Sequence, residues 1–66
     1  MIDYKKISKN LKFMRESRGI KQNFIAKQLG ITASYYSEIE NGHRRPQLEH
    51  MLKLRDIFGV SLDEFF

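Results

Sequence analysis

Apolar side chains recur along this chain at intervals of three and four rather than two, and each run stops beside a glycine. Tyr4, Ile7, Leu11 and Met14 share one face of a first predicted helix. Asp3 stands where its N-cap belongs, and Arg15 and Arg18 lie near the negative pole of its dipole. After Gly19, Ile20 takes a staple-like position before a second helix, about Gln22 to Leu29, with Ile25, Ala26 and Leu29 on one face. Gly30 and Ile31 make a short turn. Thr32 then caps a third helix that points Tyr36 and Ile39 inward and closes at Asn41-Gly42. An Asn-Gly pair also suits a hairpin, but its flanks here have helical period rather than alternation. Pro46 begins a fourth helix, about Gln47 to Phe58, with Leu48, Met51, Leu52 and Arg55 leading to Ile57 and Phe58. Beyond Gly59, Ser61 and Glu64 have capping-box spacing for a short fifth helix. The pattern predicts an all-α fold: a compact five-helix bundle, one domain over residues 1–66, without linker, repeat or low-complexity tract.

Composition narrows the class. Sixty-six residues limit the core to a small one, and 41% apolar with 12% aromatic residues argues for a folded chain rather than a disordered one. Cysteine is absent, so disulfides and thiolate metal sites are excluded and packing must hold the fold. There is no run long enough to span a membrane and no apolar leader, which with the missing cysteines predicts a cytoplasmic protein without membrane partners. The net charge of +4 is unevenly placed. Residues 1–18 hold six basic and two acidic side chains, residues 19–45 four and two, and residues 46–66 two and four. Such sorting implies two different surfaces, one of them suited to an acidic partner.

A two-turn helix, a tight glycine-containing turn and a Thr-capped helix in roughly twenty residues make a helix-turn-helix layout, about residues 22–41. Ala26 is small where the two helices cross, Gly30 permits the turn, and Ile25, Ile31, Tyr36 and Ile39 supply buried faces. The same residues also fit an ordinary helical hairpin whose small and apolar positions serve packing only.

The ordered set Gln22…Ile25-Ala26…Leu29-Gly30-Ile31-Thr32…Tyr36-Ser37…Ile39-Glu40-Asn41-Gly42…Arg44…Pro46 resembles the signature of the Cro/lambda-repressor type, or XRE-family, helix-turn-helix domain. The likeness extends to the closing stretch Gly59 to Phe66 and so covers nearly the whole chain. It implies a DNA-binding transcriptional regulator, commonly a repressor, that inserts a recognition helix into the major groove of a pseudo-palindromic operator as a homodimer. By this resemblance Thr32, Ala33, Ser34 and Glu38 face the bases. Ala33 suits a thymine methyl and Glu38 a cytosine amine. Neither Ala nor Ser has bidentate reach, so DNA shape and water are expected to share the discrimination. Lys21, Gln22, Tyr35, Asn41, His43, Arg44 and Arg45 are the expected phosphate contacts, Gln22 at a helix N-terminus that itself favours anions. Lys21 departs from the family's usual Ser or Thr cap. The alternative for Tyr35 is packing over the turn.

The resemblance also pairs Arg15 with Glu40, an ion pair holding the first helix against the third, which is a stability role. Val60, Leu62, Phe65 and Phe66 make an aromatic-rich end that is the candidate dimer interface, with core packing as the alternative. Phe24 stands where the family has a polar residue, and either packs on a neighbouring helix or meets a partner. His43, His50 and Glu49 lack metal-ligand spacing, and no nucleophile and base or phosphate-binding glycine loop occurs, so no metal, cofactor or enzymatic activity is expected. The alternative function is a protein-interaction module, such as an antitoxin or adaptor, binding a protein through the hydrophobic C-terminal end.

Overall fold

The computed structural model describes residues 2–66, and these residues form four α-helices and a terminal 3₁₀ turn. Helix α1 spans Tyr4–Ser17, α2 Gln22–Leu29, α3 Ala33–Glu40 and α4 Leu48–Phe58, and the 3₁₀ turn covers Leu62–Phe65. Asp3 caps α1, its carboxylate accepting from the backbone N–H groups of Lys5 and Lys6 at 3.1 and 3.2 Å. The Thr32 hydroxyl accepts from the Tyr35 N–H at 3.0 Å and so starts α3. Lys21 offers α2 no side-chain cap. Between α2 and α3, Gly30 takes φ 72°, which lets the Ile31 N–H turn back onto the Ala26 carbonyl at 3.0 Å.

Helix α3 packs against α1 and α2, α4 against α2, and the 3₁₀ turn closes onto α1 and α4. Tyr36, Phe65, Ile7, Leu11, Ile25, Ile39 and Leu54 are the largest fully buried side chains of the shared core. The fifth helix of the sequence reading is thus corrected to a single 3₁₀ turn. Its four residues are too few for an α-helical ladder, and it is held by the Ser61 N–H donating to the Glu64 carboxylate at 3.1 Å. A tertiary bond also holds it, the Asn10 amide donating to the Phe65 carbonyl at 2.8 Å.

The register of α4 also differs from expectation. Its buried face is His50, Met51, Leu54 and Phe58, whereas Leu48 is 66% exposed and Gln47 is the cap rather than the first helical residue. Leu48, Leu52, Leu54, Ile57 and Phe58 surround so much of this helix that period alone does not select a face. Packing against α2 does, at the cost of taking an imidazole inside.

Candidate nucleic-acid interface

The geometry rests on one buried ion pair. Arg15 donates through Nε and Nη2 to the two Glu40 oxygens at 2.7 and 3.1 Å, and through Nη1 to the Ile20 carbonyl at 2.7 Å. These bonds tie the end of α1, the entry to α2 and the end of α3 to one guanidinium. The Glu40 side chain is fully buried and that of Arg15 is 11% exposed. Burial alone would raise the Glu40 carboxyl, but the hydrogen bonds from Arg15 and Gln22, with the Arg15 charge and the nearby Tyr36, outweigh it and hold the group below the ordinary carboxylate range. The Arg15–Glu40 contact of the sequence reading is therefore present. Ser8 adds a second tie, its hydroxyl 2.7 Å from the Ile39 carbonyl.

On this frame α3 keeps one side uncovered. Thr32 and Ser34 are exposed, Glu38 is half-buried, and Ala33 is half-buried against the core, so Ser34 presents more free surface than Ala33. Thr32 spends one acceptor position of its hydroxyl on capping. Gly42, with φ 81°, reverses the chain after α3 and brings the His43 N–H back to the Glu38 carbonyl at 2.9 Å. His43, Arg44 and Arg45 follow as an exposed basic loop beside α3, with Asn41 and Lys21 also exposed.

This reversal makes contacts that sequence reasoning missed. Arg44 Nε donates to Glu38 at 2.6 Å, and its guanidinium lies 4.7 Å from the centre of the Tyr35 ring. Glu38 is thus neutralised before any ligand arrives, and Nη1 and Nη2 of Arg44 remain for other acceptors. Arg45 lies 4.6 Å above the Tyr4 ring, fastening the loop to α1. Tyr35 packs between Arg44 and the edge of His50, the ring centres of the latter pair 6.0 Å apart, which fits its packing alternative. Gln22 turns its amide inward to Glu40 at 3.1 Å. Glu38 and Arg44 are six apart across a turn, a spacing with no local signature. A serine on the apolar stripe of α1 was the available sign for Ser8.

One further expectation is corrected. Phe65 is fully buried and has no surface to give a dimer interface, while Phe66 is 47% exposed and Val60 and Leu62 are half-buried. Phe24 is 51% exposed, so it does not pack into the core. His50 is buried, and among the described residues no group of His, Cys, Asp and Glu is arranged to hold a metal ion. No described helix is long and apolar enough to cross a membrane.

With this geometry in place, the comparisons with known proteins agree on one family. The family model described as helix-turn-helix matches residues 11–65. The ImmF control region 10 kDa protein of Bacillus phage phi105 is 32% identical over 63 residues, spanning 96% of this chain and 70% of that protein. The SPbeta prophage-derived uncharacterized HTH-type transcriptional regulator YonR of Bacillus subtilis is 43% identical over 53 residues, 80% of this chain, which spans only 49% of that relative's length. Among solved structures, the restriction-modification controller protein C.AhdI from Aeromonas hydrophila matches with a TM-score of 0.83 at 30% identity, with 92% of each chain covered.

Proposed function

We propose that this chain, which belongs to the helix-turn-helix family of transcriptional regulators, is a repressor that occupies a pseudo-palindromic operator as a homodimer. The observation that carries the reading is the uncovered side of α3 flanked by the basic loop His43 to Arg45, on a frame locked by the Arg15–Glu40 pair. The uncovered side enters the major groove. Ser34 and Glu38, with Thr32 and Ala33, meet base edges there, while Lys21, Asn41, His43, Arg44 and Arg45 hold phosphates; the Gln22 amide is committed to Glu40, and Tyr35 packs beneath Arg44. The Glu38–Arg44 pair gives Arg44 two tasks. Its Nε fixes the carboxylate that reads a base, and its Nη groups take a phosphate.

The surface left at the C-terminal end supports dimerisation. Leu62 and Phe66 join Ile2, Leu48 and Met51 in lining an apolar groove of about 210 Å³. A second copy seated on it covers side chains that are otherwise half-exposed. In such a dimer the two α3 helices are to lie about 34–36 Å apart, one helical turn of DNA.

Selection of bound duplexes from a random pool at near-physiological salt tests this. A two-fold symmetric site is expected. Arg45→Gln should then weaken binding to all sequences alike, Arg44→Gln should weaken binding and also disturb the preference set by Glu38, and Ser34→Ala and Glu38→Gln should each change preference at one base pair. Salt-insensitive association with a protein and no enriched duplex would overturn the reading in favour of an interaction module.

A further inference from the structure

Helix α1 places Lys5, Lys9 and Lys12 at i, i+4 and i+7, one stripe on its exposed side. The stripe borders a groove of about 360 Å³, walled across from it by Asn41 and Gly42 at the end of α3. Lys5 and Gly42 also line the adjoining recess that holds His43, Arg44 and Arg45. The two recesses meet at that pair of residues, and a side chain at position 42 would touch the Lys5 Cγ at 3.8 Å. A continuous basic track therefore runs from the loop, over Gly42, onto α1. The carboxylates near it are engaged: Glu40 is bound by Arg15, Glu38 by Arg44, and Asp3 by the backbone of α1. Glu16, exposed one turn beyond Lys12, ends the track with a single carboxylate, and the three ammonium groups outnumber it.

We infer that Lys5, Lys9 and Lys12 form a second phosphate-binding track on α1, gripping the DNA backbone outside the stretch that α3 reads. The inference rests on the DNA-binding reading above and extends it beyond the loop. A polyanion fits better than a small anion, because the ammonium groups lie along an exposed stripe and not around a closed cavity. Each lysine adds affinity that is indifferent to sequence and steep in salt.

The test uses the full chain, Lys9→Gln/Lys12→Gln in the same chain, and Lys53→Gln as a control on α4. All three lysines are exposed, so folding is retained and is checked by thermal melting. Affinity is measured from 50 to 200 mM salt on two duplexes: the selected site trimmed to its ends, and the same site with about one helical turn, roughly ten base pairs, added on each side. The double variant should lower the log–log salt slope on the extended duplex by about 0.9 per lysine. Its affinity loss over that salt range should therefore be about tenfold smaller than that of the unaltered chain. On the trimmed duplex the slopes should coincide, and Lys53→Gln should follow the unaltered chain on both. Equal slopes for the double variant and the unaltered chain on the extended duplex overturn the track and leave the DNA-binding reading standing. An equal drop for Lys53→Gln also overturns it, since the effect would then be general charge. No salt-dependent duplex binding by the unaltered chain removes both.

Discussion

At the scale of residues the decisive arrangement is Arg15 against Glu40. Replacing Arg15 with Gln strands a buried carboxylate with only Tyr36 and Gln22 beside it, and the expected loss of stability is about 3–5 kcal/mol, read by urea unfolding near neutral pH. DNA affinity should fall with the folded fraction, because Arg15 faces the frame rather than the groove. The same pair gives a pH dependence. The folded Glu40 carboxyl lies below its ordinary value of 4.5, so the unfolded chain takes up its proton first. The stabilisation is complete above that ordinary value and is lost as pH falls through the lower folded value. Glu40→Gln should flatten this part of the acid limb, and an unchanged limb would show that other carboxylates set it. The resemblance made this pair legible. The inward turn of Gln22 and the Glu38–Arg44 pair were not legible, since both depend on where the chain reverses.

Among the elements, caps separate α2 from α3. Thr32 caps α3 through its hydroxyl and Lys21 leaves α2 uncapped, so the two helices of the motif start from unequal ends. Thr32→Ala should cost about 1 kcal/mol and Lys21→Ser should gain about as much. In a domain of this size each step moves the melting midpoint by roughly 4–8 °C. The Lys21 change should also weaken duplex binding at low salt, which separates stability from contact. Helices α1, α2 and α3 could be read from the sequence almost to the residue, because a cap or a glycine marks their ends. Helix α4 could not be rotated correctly from sequence, since apolar residues surround it and only the packing against α2 takes His50 in and leaves Leu48 out.

Over the whole molecule, the uneven charge seen in the sequence resolves into a basic loop and lysine stripe at one place and an apolar groove at another. Two neighbouring phenylalanines test the groove. Phe65→Ala removes a fully buried ring and should cost about 3–5 kcal/mol, whereas Phe66→Ala should leave the melting of the monomer nearly unchanged and shift sedimentation toward monomer. A dimer unaffected by Phe66→Ala would place the interface elsewhere. Position in the sequence does not distinguish the two rings. Phe65 is drawn inward where the Asn10 amide holds its carbonyl, and Phe66 follows onto the surface.

Periodicity, glycine placement and capping residues were enough to specify the helices, their order and the motif they build, because those signals act over a few residues along the chain. The family resemblance supplied the roles proposed for the exposed positions. Tertiary contact alone decided the face of α4, the shortening of the last element to a 3₁₀ turn, and which phenylalanine is core. It also decided that Arg44 meets Glu38 and that Lys5 meets Gly42. Each of these joins residues that the chain brings together only after it has turned, where packing volume and unpaired polar groups, rather than local propensity, carry the larger free energy.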